Sequence, residues 1–132
     1  MKLTKKTQYG ITAMVHIAKV GEKVTIAEIS EECDLPIKFL EQILLDLKRS
    51  KLLKSRRGAS GGYMLEKKPE DISLYAIIRA LKDTILDNPK TMDTNNVATE
   101  LCFDLLLDFT AAAEMTTLFS MVTGENKELS NE

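Results

Sequence analysis

Between Thr25 and Tyr63 the chain runs through two short helical patterns, a three-residue interruption and a basic stretch ending in small residues. Thr25 is followed three residues later by Glu28, the spacing of a capping box in which each residue satisfies a free N–H of the first helical turn. Cys33-Asp34-Leu35 breaks the pattern. Pro36 then suits a helix start, where its missing N–H costs nothing. From Pro36 to Arg49, Leu40, Ile43, Leu44 and Leu47 recur every three or four residues, one buried stripe. Two short helices joined by so tight a turn make a helix-turn-helix, whose second helix can enter the DNA major groove. Leu52-Leu53-Lys54-Ser55-Arg56-Arg57, a Gly58-Ala59-Ser60-Gly61-Gly62 tip and a Tyr63-Met64-Leu65 return predict a two-stranded wing after it.

The face of the second helix opposite the stripe carries Lys38, Glu41, Gln42, Leu45, Lys48 and Arg49. Glutamine can bridge N6 and N7 of adenine and glutamate can accept from cytosine N4, while the cations suit phosphates. A mixed polar face is ordinarily a solvated one; its place directly after a helix-turn-helix break favours base reading. The wing tip is not a nucleotide phosphate loop. That motif ends in Gly-Lys-Ser/Thr and opens a helix, whereas this loop ends in Gly-Gly-Tyr and enters a strand. An arginine at a hairpin tip can instead enter the minor groove.

Net charge, -2 overall, conceals an asymmetry. Residues 1–68 carry 14 Lys and Arg against 8 Asp and Glu, while residues 69–132 carry 4 against 12. A basic half that meets phosphate and an acidic half with another task are expected. Two cysteines far apart give neither a disulfide framework nor a zinc site, which fits a reducing compartment. No apolar run approaches the roughly 18 residues of a membrane span, and the N-terminus lacks the apolar core of a signal peptide. The expected location is cytoplasmic, with no membrane partner.

Residues 1–20 predict a helix capped by Thr4, with Tyr9, Ala13, Ile17 and Val20 as its inner stripe, widened by Met14 and Val15. Lys2, Lys5 and Lys6 at its start suit a phosphate held against free first-turn amides. His16 is the single histidine and reads as structural. Cys33 reads as a small apolar residue, with a redox-sensing thiol as the alternative. Beyond the wing, Ser73 caps a helix with Leu74, Ile77, Ile78 and Leu81 inward and Ile72 stapled onto Ile77. Residues 84–94 predict a loop through Asn88-Pro89.

Asn95 to Val122 predicts one long helix of about 40 Å, ended by Gly124. Val97, Leu101, Leu105, Phe109, Ala112, Met115 and Phe119 recur along it as a dimerisation stripe, too apolar for a small domain to cover alone. An isologous homodimer is expected. The fold class is therefore mainly α: a winged helix-turn-helix with a small two-stranded β wing and a long C-terminal dimerisation helix. The expected organisation is a DNA-binding domain over 1–68, a helix, loop and dimerisation helix over 69–123, and a frayed tail over 124–132.

Met1-Lys2-Leu3-Thr4, Tyr9, Thr12-Ala13-Met14, Ile26-Ala27-Glu28-Ile29-Ser30, Leu40-Glu41-Gln42, Leu44, Leu47, Arg57-Gly58 and Gly61-Gly62-Tyr63 together resemble the Rrf-two family of bacterial winged-helix regulators. The similarity is close over about residues 1–82 and looser to about residue 122. The resemblance implies Glu41 and Gln42 in the major groove, Arg57 in the minor groove, and Lys2, Thr4 and Tyr9 near the backbone. Lys5, Phe39, Lys48, Ser60, Gly61 and Gly62 complete the expected DNA-binding set with Pro36 and Lys38, which stand where some relatives place DNA-contacting serines. Iron–sulfur members hold their cluster with three cysteines around the loop corresponding to 84–94, where this chain has none. With one cysteine, Cys102, in the helix that follows, no cofactor and no metal site is expected.

The expected function is sequence-specific DNA binding as a homodimeric repressor on a pseudo-palindromic operator. A possible small-molecule effector would sit beside the dimer helix near Met92, Phe103 and Met115, residues that equally suit plain core packing. An enzyme would need a convergent nucleophile, base or metal set, which one histidine and scattered carboxylates do not supply. The rival is a winged helix used only for protein contacts.

Overall fold

Local sequence sets the helix boundaries here, and tertiary contacts decide which faces close. The computed structural model describes residues 3–58, 61–84 and 97–124, with backbone only for 97–100, 102 and 103. Helix α1 spans Lys5–Val20. The Thr4 hydroxyl accepts from the Thr7 N–H at its start, and Gly21 closes its end in the left-handed conformation. A cap of this kind contributes about 1 kcal/mol. Helix α2, Ile26–Cys33, carries the Thr25–Glu28 capping box in full. Asp34 makes the tight turn with φ 54°, and α3 then runs over Ile37–Arg49. Pro36, expected as the first helical residue, thus occupies the capping position instead, and it offers no side-chain hydrogen bond.

Strands β1, Leu53–Arg56, and β2, Gly62–Leu65, pair antiparallel with Leu53 opposite Leu65 and Arg56 opposite Gly62. Val24, between α1 and α2, adds a one-residue third strand by exchanging both backbone hydrogen bonds with Tyr63 (2.9 and 2.7 Å). Buried Leu52 and Leu53 pin the wing to the helices. A single 3-10 turn at Pro69–Asp71 leads to α4, Leu74–Ala80, capped by the Ser73 hydroxyl as expected.

One core holds these elements together. Ala13, Met14, Ile17, Ile29, Leu40, Ile43, Leu44 and Leu47 share it with Ile72, Ile77, Leu81 and Leu118, so it is continuous across residue 68. Each fully buried aliphatic side chain contributes roughly 1.5–3 kcal/mol. Val20 departs from the expected stripe: it is 41% exposed at the last position of α1, one turn beyond buried Ile17.

The long C-terminal helix is two helices. Helix α5 spans Val97–Met115 and α6 spans Leu118–Thr123, with Gly124 as the left-handed stop. Thr117 leaves the helical conformation (φ -104°, ψ 160°) and forms a capping box with Ser120. Its neighbours bond to the start of α4: the Leu74 N–H donates to the Thr116 carbonyl and the Leu118 N–H to the Ile72 carbonyl, both at 2.7 Å. These tertiary bonds, together with the local cap, replace the hydrogen bonds an unbroken helix would make. Phe119, expected on the dimerisation helix, therefore belongs to α6, which packs against α1. The expected loop falls, apart from Thr84, outside the described residues, as does the tail over 125–132.

Candidate nucleic-acid interface

Helix α3 divides into two faces as its sequence requires. Leu40, Ile43, Leu44 and Leu47 are buried, while Lys38, Glu41, Gln42, Lys48 and Arg49 are exposed. The exposed side is not purely polar: Ile37, Phe39 and Leu45 stand on it, Phe39 at 55% exposure. Phe39 meets Tyr9 of α1 edge to face, with ring centroids 6.0 Å apart. The structure thus brings together two residues that the sequence places 30 positions apart.

Asp46 was not expected. It sits among the leucines of the buried stripe, its side chain 1% exposed. Oδ2 takes an ion pair from the Lys6 ammonium of α1 at 2.5 Å, and Oδ1 accepts from the Gln42 Nε2–H at 3.0 Å. Burial pushes the Asp46 carboxyl up. The hydrogen bond and charge of Lys6, the Gln42 hydrogen bond and the charge of Lys82 together outweigh it and hold the group below its ordinary value. Lys6 thus has a protein partner already, at the basic tip whose sequence had suggested a phosphate.

The start of α1 is also occupied. Asp83, buried just beyond α4, accepts at Oδ2 from the Thr4 N–H (3.2 Å), the Thr4 hydroxyl (3.1 Å) and the Thr7 hydroxyl (2.6 Å). A carboxylate of the chain itself takes the position at the positive helix end that the sequence offered to a phosphate. Lys5 remains exposed beside it, and Lys2 lies outside the described residues.

At the wing, Arg56 and Arg57 are exposed where the hairpin turns, and Gly61 closes the tip with its N–H on the Gly58 carbonyl at 2.8 Å. Gly61 and Gly62 are held by close backbone approach. A Cβ on Gly61 would lie 2.7 Å from the Arg56 carbonyl oxygen, and one on Gly62 the same distance from that of Val24. These two glycines shape the wing, which is a reason for them independent of any ligand. Ser60 lies outside the described residues.

On α5, Leu101, Leu105, Ala112 and Met115 form an exposed stripe, Leu105 at 64%, with Phe109 half-buried along its edge. The side chains of Val97 and Phe103, and Met92 altogether, lie outside the described residues. Among the described residues no three His, Cys, Asp or Glu side chains converge as a metal site. No helix among them is long and apolar enough to cross a membrane.

Residues 3–116 match the family model described as Rrf2, iron-dependent transcriptional regulator. The helix-turn-helix transcriptional regulator IscR of Aliivibrio salmonicida is 37% identical over 87 residues, 64% of this chain and 52% of that protein. IscR of Cereibacter sphaeroides is 37% identical over 89 residues, covering 64% and 57%. The chain thus spans little more than half the length of these curated relatives. Among solved structures, CymR (YrzC), the global cysteine regulator of B. subtilis, superposes with a TM-score of 0.84 at 29% identity, over 95% of this chain and 98% of that one. IscR of T. potens gives 0.77 at 27% identity, over 100% and 93%. With its winged helix-turn-helix and a family match over most of its length, the chain belongs to the Rrf2 family of transcriptional regulators.

Proposed function

We propose that this regulator is a sequence-specific DNA-binding repressor that acts as a homodimer on a pseudo-palindromic operator. The observation that carries the reading is α3, whose inner face is closed by the core while Lys38, Phe39, Glu41, Gln42, Lys48 and Arg49 stay exposed. Glu41 and Gln42 have the chemistry to read cytosine and adenine edges. Phe39 suits a thymine methyl, and Lys5, Lys38, Lys48 and Arg57 suit phosphates or a narrow minor groove. The α5 stripe of Leu101, Leu105, Ala112 and Met115 supports pairing with a second copy, which would set two α3 helices about 34 Å apart, one turn of DNA.

Selection from a randomised duplex pool, followed by titration of the selected site at two salt concentrations, tests the reading. Each neutralised phosphate contributes about -0.9 to the slope of log K against log salt. A steep slope and a two-fold symmetric motif are expected. A winged helix used only for protein contacts gives neither. Sedimentation should find a dimer that Leu105→Glu dissociates; a wild-type monomer at micromolar concentration refutes the dimer.

The family description includes iron dependence, and the donors of this chain do not fit a thiolate-held cluster. Such clusters are built on several cysteine thiolates, and the chain has two cysteines in all. Cys33 lies half-buried on α2, and burial, then the charge of Glu32, push its thiol up, away from the thiolate that iron requires. Cys102 belongs to α5, a separate element. We therefore propose regulation without such a cluster.

A further inference from the structure

Gln42 is exposed, yet it is not free to turn. Its Nε2 donates to Asp46 Oδ1 one helical turn on, and Asp46 is itself fixed by Lys6 from another helix. An ionised carboxylate only accepts, whereas a glutamine amide has two N–H donors on one side and an acceptor oxygen on the other. The amide must therefore turn its nitrogen to Asp46; the flipped form would set two acceptors against each other. One N–H and Oε1 are left over. That donor–acceptor pair is what the N7 and N6–H edge of adenine requires.

We infer that Asp46 is a positioning residue for base reading: buried beneath the exposed face of α3, it holds the Gln42 amide in one orientation and so sets the preference at the base pair Gln42 meets. The inference rests on the DNA-binding reading above. A long flexible side chain ordered before contact loses less freedom on binding. A side chain locked in one flip also discriminates between bases that the two flips would read differently. Lys6 extends the same arrangement to α1, since its ammonium keeps the carboxylate charged and in place.

Wild type, Gln42→Ala, Asp46→Asn and the double variant are each measured against every single-base change in a selected half-site. Taking ratios between sequences cancels the general gain in affinity from losing a negative charge. Gln42→Ala identifies the base pair that Gln42 reads. Asparagine at 46 can donate as well as accept, so both flips of Gln42 become available. Asp46→Asn should then reduce discrimination at that same base pair by about fivefold or more, with other positions within twofold, and add nothing once Gln42 is alanine. Asp46→Ala, with the better helix former, repeats the measurement should Asn unfold the protein.

Unchanged discrimination at that base pair overturns the inference. So does an even loss at every position, which marks a purely structural role, or an effect that persists in the Gln42→Ala background. A wild type that selects no sequence refutes the DNA reading itself, an outcome distinct from all of these.

Discussion

Asp83→Ala removes a carboxylate oxygen that ties the end of α4 to the start of α1. The Thr7 hydroxyl donates to it at 2.6 Å and the Thr4 N–H at 3.2 Å. The Thr4 hydroxyl has one hydrogen to share between Asp83 at 3.1 Å and the Thr7 hydroxyl oxygen at 3.0 Å. From Thr4 and Thr7, Oδ2 thus receives two full hydrogen bonds and part of a third. Hydrogen bonds to a charged group contribute about 1.5–3 kcal/mol each, and a negative charge at a helix N-terminus adds up to about 1. Against that stands the cost of burying Asp83, and after the change Thr4 and Thr7 can still bond to each other. A net loss of about 2–4 kcal/mol follows, or on the order of 10 °C in Tm for a chain of this size.

Urea unfolding at 25 °C, followed by circular dichroism, reads that loss as a lower midpoint at unchanged slope. Asp83→Asn keeps an acceptor and should lose less than half as much. Thr7→Val combined with Asp83→Ala should cost less than the two single changes added, because both remove the same bond. A loss below about 0.5 kcal/mol for Asp83→Ala, or strict additivity with Thr7→Val, refutes the assignment of Asp83 as the tie between α4 and the start of α1.

Gly62→Ala places a Cβ 2.7 Å from the Val24 carbonyl oxygen, so it should break the Val24–Tyr63 pairing and destabilise the protein by about 1–3 kcal/mol; equal denaturation midpoints count against that contact. For Asp46 the folded carboxyl lies below its ordinary value, so its contribution is present above about pH 4 and is lost as pH falls through the depressed value. Asp46→Asn should accordingly flatten the acid limb of a stability–pH curve, and an unchanged limb refutes the pairing. Protein purified without oxygen should be colourless and bind the selected site equally with or without a chelator; visible absorbance with about two irons per subunit would show that the donor argument fails.

What the sequence made legible is what repeats or pairs within a turn of helix. Thr4, Thr25 with Glu28, and Ser73 announce their helices because each cap is a bond across three residues. The α3 stripe is legible because burial on a helix has a period. Asp46 and Asp83 gave no such signal. Gln42 lies one helical turn from Asp46, but the Lys6 and Thr4 partners lie 40 and 79 positions away, and no periodicity relates a buried carboxylate to a distant lysine or threonine. An aspartate inside an otherwise leucine stripe, with lysines at the start of α1, was the available hint. The break at Thr116–Thr117 had a local signal in the Thr117–Ser120 spacing. The apolar recurrence of Met115, Phe119 and Val122 ran across it and masked it, since period alone cannot tell one helix from two in near register. Gly61 and Gly62 were legible as turn residues, but the backbone oxygens that exclude a Cβ there belong partly to Val24, far outside the tip.

That break bears on how the two halves of the chain work together. Ser73 and Thr117 pair as a short antiparallel bridge, flanked by the Leu74–Thr116 and Leu118–Ile72 backbone bonds. The bridge fixes the end of α5 to the start of α4 by main-chain hydrogen bonds, which tolerate less sliding than side-chain packing. Helix α4 in turn packs on α1 and α3, and α6 folds back onto α1. An unbroken 40 Å helix would have left α5 anchored along one side only. As built, the end of the exposed stripe and α3 belong to one packed body, with Leu118 fully buried at the junction. On the dimer proposed above, a change in how two α5 stripes meet is therefore carried to α3 through α4, and the spacing of the two reading helices becomes a property of the α5 contact. On the cluster-free regulation proposed above, the switch acts at that contact, through whatever alters the fit of Leu101, Leu105, Ala112 and Met115 against a second copy.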